Sequence, residues 1–199
     1  MARELSQRQK KRQRSKALKK LKNLDINITE CCEEIEASSL ESSVYIGADS
    51  KTFKRGNDRF VAFCTTVILH KDSKHGGKIF KDIKIERDFG ESNTPRMRLM
   101  NEVYKVIDIA SQIVDSVGER HFEVHLDVNP DPKYKSNSAV KEACGMVLGT
   151  FGFEAKIKPE AWAASAAADR FAVKTATTAQ RLARTGDGEF MDGVGPRIR

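Results

Sequence analysis

Two carboxylates, Asp49 and Asp127, stand at the ends of apolar stretches of the chain. Residues 44–49 and 123–128 alternate with a period of two, which is the pattern of a β-strand. An acid that closes an apolar strand is costly to bury unless another group pairs with it. If the two strands are neighbours in register, the two carboxylates project from one face of one sheet.

Two more acids lie on segments with helical periodicity. Glu102 falls between Leu99 and Val106, at the apolar stripe of its helix, whereas a surface glutamate would occupy the opposite side. Asp169 follows an alanine-rich run, residues 163–168, whose small side chains would let the helix lie close to a sheet. Clustered carboxylates repel one another and raise one another's pKa, so a cluster of these acids implies a bound cation.

The elements expected to position these acids follow from periodicity, caps and turn residues. In chain order they are a helix at 27–37 capped by Asn27, strands at 44–49, 60–70 and 79–87, a helix at 94–118, a strand at 122–129, a helix from 136 or 138 to 148, a strand at 153–158 and a helix at 161–184. A polar turn is expected over residues 51–59. Short turns favour an antiparallel meander, and strands that alternate with helices favour parallel additions. The predicted fold is α/β: a mixed five-stranded sheet with helices on both faces and the first and fourth strands adjacent.

Composition limits the class of protein. The 199 residues suit one domain with extensions, and no apolar run is long enough to cross a bilayer. The four cysteines form no C-x-x-C pair, which favours reduced thiols over a disulfide framework or a zinc site. The basic N-terminus lacks the apolar core of a secretory signal, so we expect a cytoplasmic protein.

Charge divides the chain into segments. Residues 1–22 hold 10 Lys and Arg against one acid (+9), and the remainder holds 25 basic and 27 acidic residues (−2). We expect a basic, disordered arm at 1–24, a short helix and linker at 25–43, the folded domain at 44–184 and a flexible Gly-rich tail at 185–199. The arm is either a nucleic-acid contact or a solubilising tail; its candidate contacts are Arg8, Lys10, Lys11, Arg12, Arg14 and Lys16.

Five short motifs in this order resemble one known family. They are IGADSK at 46–51, HLDVNP at 125–130, YKS at 134–136, GMV at 145–147 and AASAAADR at 163–170. Together they resemble the YkuK-like family of predicted nucleases, which is related to ribonuclease H and occurs in bacteria and phages. The resemblance covers about residues 42–175 and leaves out the arm and the tail.

This resemblance implies a fold, a site and a reaction. The ribonuclease-H-like superfamily places acids on the first strand, the first long helix, the fourth strand and the last helix. The matching catalytic and metal-binding residues are Asp49, Glu102, Asp127 and Asp169, and we expect their carboxylates to converge on one face of the sheet. Two Mg²⁺ or Mn²⁺ ions held by such carboxylates can activate water and stabilise the leaving oxygen of a phosphodiester. The implied function is hydrolysis of RNA, DNA or a hybrid. Ribonuclease H itself has Gly where this chain has Ser50. This difference concerns the subfamily and the substrate more than the fold.

Each candidate also has a structural interpretation. Asp49 and Asp127 would start turns, Glu102 would pair with Arg98 or Lys105 on a helix surface, and Asp169 would pair with Arg170 or Lys174. For His125 a hydrogen-bonded sheet residue is favoured over a proton shuttle. Trp162 would either pack in the core or stack on a base. Weaker candidates for substrate contact are Lys51, Lys135, Ser136, Arg170 and Lys174.

Two other functions compete with nuclease activity. One is a nucleic-acid-binding protein that keeps the fold with little or no cleavage. The other is an adaptor whose tails bind a partner. The full set of acids favours a nuclease over a binding module, and the basic arm suits both.

Overall fold

A four-stranded mixed sheet is the frame of the molecule. The computed structural model describes residues 23–55, 57–71, 76–88, 95–131, 133 and 137–184; residues 1–22 of the N-terminal arm, the C-terminal tail, Lys135 and Ser136 lie outside these ranges. The strands are β1 (Ser43–Arg55), β2 (Asp58–His70), β3 (Gly77–Asp88) and β4 (His121–Leu126). Their order is β3-β2-β1-β4, with β1 antiparallel to β2 and parallel to β4. The predicted adjacency of the first and fourth strands is thus confirmed.

Helices cover both faces of this sheet. They are α1 (Ile28–Glu36), α2 (Pro95–Val117), α3 (Asn137–Phe151) and α4 (Asp169–Arg184), and a π-helical segment, Ala163–Ala168, leads directly into α4. The side chain of Asn27 caps α1 by accepting a hydrogen bond from the Glu30 N–H at 3.2 Å, as predicted. Within the described residues, no helix is long and apolar enough to cross a membrane.

Alternation along β1 directs its side chains into two separate cores. Val44, Ile46 and Ala48 belong to the larger core, which β2, β4 and helices α1, α2 and α3 complete. On the other face, Phe53 joins a smaller core against α4, where the helix presents Ala172, Ala176 and Ala179. We call these the α2 face and the α4 face. The alanines bring α4 close to the strands, as the alanine-rich sequence predicted for this region.

The predicted polar turn over residues 51–59 is wrong, because β1 continues to Arg55. Its pairing with β2 runs without a break from Ser43↔His70 to Arg55↔Asp58. Phe53 and Phe60 stack across the hairpin at 5.6 Å between ring centroids and are both buried. Their burial on one face offsets the exposure of Lys51 and Lys54 on this part of β1. Asp49 therefore lies within a long strand rather than at its end.

The predicted fifth strand is also wrong as an element. Among the described residues the sheet has four strands, and the segment after α3 contributes only an isolated parallel bridge, His125↔Lys156. Three backbone hydrogen bonds join this segment to residues 124–128. The N–H of Lys156 donates to the Val124 carbonyl at 2.8 Å, that of Leu126 to the Lys156 carbonyl at 2.9 Å, and that of Lys158 to the Val128 carbonyl at 3.1 Å. The pairing is too short to form a strand, yet it fixes Lys158 beside the end of β4.

The segment before β1 is part of the domain. Leu24, which we expected within the basic arm, exchanges two backbone hydrogen bonds with Ile83 of β3 at 2.7 and 2.9 Å. The Ile26 N–H donates to Asp82 Oδ1 at 3.1 Å. Cys31 of α1 is fully buried in the larger core. The helix at 28–36 therefore packs as a structural element of the fold rather than within a linker.

Candidate active site

Asp49 and Asp127 are brought level by the parallel pairing of β1 and β4. The register ends at Gly47↔His125 and Ala48↔Leu126, so the next position on each chain is an aspartate. Asp49 shares its parity with Gly47, on the α4 face. The proximity predicted from strand parity is present, and the negative charge of Asp127 contributes to raising the pKa of Asp49.

Asp169 reaches the same place from the α4 face. It is the first residue of α4, directly after the π-helical segment. Its carboxyl group makes a hydrogen-bond contact with that of Asp49, and this contact and the negative charge of Asp169 both contribute to raising the pKa of Asp49. This contact with Asp49 differs from the structural alternative, in which Asp169 would pair with Arg170 or Lys174.

Glu102 approaches from the opposite, α2 face. Its side chain is 6% exposed, and Oε1 accepts a hydrogen bond from Ser50 Oγ at 2.5 Å. The expectation that all four acids share one face needs correction here, because Ser50 points away from Asp49. The two groups can still meet: β4 ends at Leu126, so no described strand pairs with this edge of β1 beyond Ala48. This burial argues against a pair on the helix surface, and Lys105 instead binds Glu86 at 2.6 Å.

Burial and mutual repulsion shift the acidity of two members of the cluster. Burial, followed by the charges of Asp127 and Asp169, raises the pKa of Asp49 to about 7, although the Ser50 N–H opposes this shift by donating to it at 2.7 Å. Burial also raises the pKa of Glu102 to about 8, and the charges of Asp49 and Asp127 act in the same direction. Without a cation, Glu102 is therefore mostly protonated at neutral pH, and Asp49 is about half protonated.

His125 fixes the π-helical segment to the sheet. Its side chain is fully buried, and its Nδ1 accepts the Ala163 N–H at 3.0 Å. Nδ1 is therefore unprotonated, and the proton on Nε2 is donated to Glu123 Oε2 at 2.8 Å. Burial lowers the pKa of the imidazole, which favours this neutral form. Because both ring nitrogens form hydrogen bonds, His125 is a hydrogen-bonded sheet residue, as predicted, rather than a proton shuttle. It positions the segment that precedes Asp169.

Trp162 lines a surface groove beside the π-helical segment. Its ring contacts Tyr45 and His125, with centroid distances of 4.8 and 5.5 Å, and 44% of the residue is exposed. A core tryptophan would be more deeply buried. The groove has a volume of about 440 Å³, and Arg170 also lines it. Both residues are thus accessible beside the π-helical segment.

The remaining predicted contacts have different positions. Lys51 and Lys174 are exposed, on β1 and α4 respectively. Lys135, Ser136 and the six arm residues fall outside the described ranges. Two contacts of the acids carried no recognisable sequence signal: Ser50, which binds Glu102, and Lys158, whose Nζ lies 2.8 Å from Asp127 Oδ1. The position of Lys158 beside Asp127 becomes visible only in the structure, because the bridge between Lys156 and His125 brings the segment back to β4.

The four acids offer the right donor atoms for Mg²⁺ or Mn²⁺, which prefer oxygen ligands. Within the described ranges, however, no three His, Cys, Asp or Glu side chains are arranged to hold a metal ion in this conformation. Instead, Asp49 bonds to Asp169, Glu102 to Ser50 and Asp127 to Lys158. The donor set fits a cation in its chemistry, and binding one requires Asp49 and Glu102 to release their protons and the carboxylates to change partners.

Comparison with known proteins settles the family. A family model described as "Ribonuclease H-like" matches residues 26–173, well over half of the chain. The chain belongs to the ribonuclease-H-like family. The match begins just before α1, which agrees with the packing of that helix in the domain, and it ends within α4. No curated protein and no solved structure matches the chain significantly. The mixed sheet and its flanking helices are consistent with a ribonuclease-H-like fold.

Proposed function

We propose that this ribonuclease-H-like protein is a metal-dependent nuclease that hydrolyses phosphodiester bonds of RNA, DNA or a hybrid. The observation that carries the proposal is the convergence of Asp49, Asp127 and Asp169 with Glu102 at one edge of β1. Membership of the ribonuclease-H-like family supports a nuclease-type function. Within that family, the sequence motifs favour the YkuK-like branch, which occurs in bacteria and phages.

The chemistry of the site depends on its carboxylates. Bound divalent ions, two in our proposal, would supply Lewis acidity and an activated water. Asp49 and Asp127, side by side at the ends of paired strand segments, are suited to hold a shared ion. Asp169 and Glu102 complete the set from the two faces of the sheet. Ser50 orients Glu102 through its hydrogen bond, and His125 orients the segment before Asp169.

Cleavage assays with matched variants test this proposal. Labelled RNA, DNA and hybrid duplexes are incubated with Mn²⁺ and with EDTA, using the full chain. We expect Mn²⁺-dependent cleavage of at least one substrate, reduced at least about 100-fold in Asp49→Asn and Asp127→Asn, because loss of even an outer partner of a metal site costs 10–100-fold. Glu102→Gln and Asp169→Asn should be impaired to a similar or smaller extent. Asp115→Asn, an exposed acid on α2, is the control and should cleave like the wild type.

The second candidate is a nucleic-acid-binding protein with little or no cleavage. The observation in its favour is that the carboxylates are satisfied by protons, Ser50 and Lys158 rather than arranged around an ion. The same assay separates the two functions. A wild type that binds the labelled substrates in Mn²⁺ but leaves them intact would replace the nuclease with the binding module.

A further inference from the structure

Lys158 is a cation held against the acidic cluster. Its Nζ lies 2.8 Å from Asp127 Oδ1, with the lysine side chain 39% exposed and that of the aspartate 19% exposed. The ammonium is therefore in contact with a proposed metal ligand while remaining accessible from solvent. In a buried structural ion pair both partners would be shielded from solvent, whereas in this pair the lysine is accessible.

The main chain of Lys158 is fixed, whereas its side chain is long and flexible. The Lys158 N–H donates to the Val128 carbonyl, and two further bonds join Lys156 to β4. These contacts hold Lys158 within one residue of Asp127 across the bridge. The four-carbon stem of a lysine lets its charge move several ångström about such an anchor.

We propose that Lys158 is a substrate-contacting residue: its ammonium balances Asp127 in the protein alone and moves to a phosphate of the nucleic acid when substrate binds. Lysine is a common phosphate ligand that acts as a point charge. A partly exposed ion pair contributes little to stability, so the exchange of partners carries a small penalty. This inference rests on the proposed function, because it places a phosphodiester next to the carboxylates.

Lys156 provides a matched control on the same short segment. It is exposed to a similar degree, 45%, but its Nζ is directed to Glu160, 3.4 Å away. Replacing either lysine by Gln removes one positive charge from the same surface. A change seen only for Lys158 therefore reports position and not net charge.

The test measures binding of labelled single-stranded RNA and DNA and of a hybrid duplex in EDTA, across a range of salt concentrations. Lys158→Gln should weaken binding to the preferred substrate and lower the slope of log K against log salt by about one, as expected for one lost phosphate contact. Lys156→Gln should bind like the wild type, and Lys158→Arg should retain binding because it keeps the charge. A second readout is Mn²⁺ affinity, which should rise in Lys158→Gln because the competing ammonium is gone.

Two outcomes overturn the inference. One is wild-type binding and salt slope in Lys158→Gln, which would make Lys158 only a partner of Asp127. The other is equal weakening by Lys156→Gln and Lys158→Gln, which would reduce the effect to net charge. Neither depends on turnover, so failure of this inference is distinguishable from failure of the nuclease proposal, which would show as a wild type without cleavage. If Lys158→Gln does not fold, Lys158→Met replaces it, because it also removes the charge while keeping an unbranched side chain, and the same two outcomes overturn the inference.

Discussion

The two faces of the sheet bury different kinds of side chain. On the α2 face, three helices close over an apolar layer in which Ile46, Leu69 and Ile113 are almost wholly buried. On the α4 face, small alanines lie above the strands, and the layer also contains His125 and Asp49. The α2 face supplies most of the apolar burial that holds the sheet, whereas three of the four acids lie on the α4 face or at the edge of β1, and Glu102 reaches them from the α2 face.

This difference shows where polar groups are tolerated. Each polar side chain of the site has a specific partner: His125 binds both Ala163 and Glu123, and Asp49 is bonded to Asp169. A buried polar group without such a partner would cost about 1–3 kcal/mol. Substitutions in the apolar layer of the α2 face should therefore change stability, and substitutions of the four acids should change metal binding and catalysis.

The largest effect on stability is expected from Ile113→Ala on the α2 face. Ile113 is fully buried in the larger core, so its truncation should lower the free energy of unfolding by about 2–5 kcal/mol. Urea denaturation measures the change. Ile79→Ala, at a position 48% exposed on β3, is the control and should stay within about 0.5 kcal/mol of the wild type. Equal losses would contradict the assignment of the larger core.

A somewhat smaller loss should follow from His125→Ala. It removes two hydrogen bonds of a fully buried side chain, which should lower the free energy of unfolding by about 2 kcal/mol and weaken Mn²⁺ binding by releasing the segment before Asp169. The control is His121→Ala, because His121 also contacts Glu123 but has a side chain 57% exposed. If both variants bind Mn²⁺ like the wild type, His125 is a purely structural residue.

Stability of the metal-free protein should decline between about pH 6.5 and pH 8. The folded pKa values of Asp49 and Glu102, about 7 and about 8, lie above the ordinary values of 3.8 and 4.5, so the folded chain binds more protons than the unfolded chain in this range. Each group then lowers the free energy of unfolding by at most about 1.4 kcal/mol per pH unit. Thermal melts in EDTA should show the decline.

Two features sharpen this pH experiment. Below about pH 6.5 the lowered pKa of His125 acts in the opposite direction, because the fold then loses stability as the pH falls. Glu102→Gln should make the decline above that pH shallower, and saturating Mn²⁺ should reduce it. An unchanged decline in Glu102→Gln would show that other groups cause it.

The smallest effect on the fold is expected from deletion of residues 1–22. Thermal stability should remain that of the full chain, while nucleic-acid binding weakens and its salt dependence becomes flatter, since the deleted segment carries a charge of +9. Salt titrations of binding measure the effect. An unchanged salt slope would favour the interpretation of the arm as a solubilising tail.

Strong local signals predicted the elements that carry the acids. The helix expected at 94–118 is Pro95–Val117, and the cap at Asn27 is present, because both depend on neighbours within a few residues. The pairing of β1 with β4 followed from the order of strands and helices. The level placement of Asp49 and Asp127 followed in turn from strand parity.

Features that depend on distant contacts were not predictable. The extension of β1 through its lysines depends on the packing of Phe53 against Phe60, and the loss of the fifth strand depends on how few residues reach β4. The meeting of Glu102 with Asp49 at the edge of β1 depends on the early end of β4. The contact of Lys158 with Asp127 likewise exists only after the chain has returned to β4.

Mn²⁺ binding to the metal-stripped full chain at about pH 8, measured by calorimetry, tests the central claim most directly. At this pH the protons on Asp49 and Glu102 are more readily displaced. We predict binding by the wild type and by Asp115→Asn, and a loss of at least about 100-fold in affinity in Asp49→Asn and Asp127→Asn. A wild type that binds no Mn²⁺, or an Asp49→Asn variant that binds it equally well, would contradict a cation site built on these carboxylates.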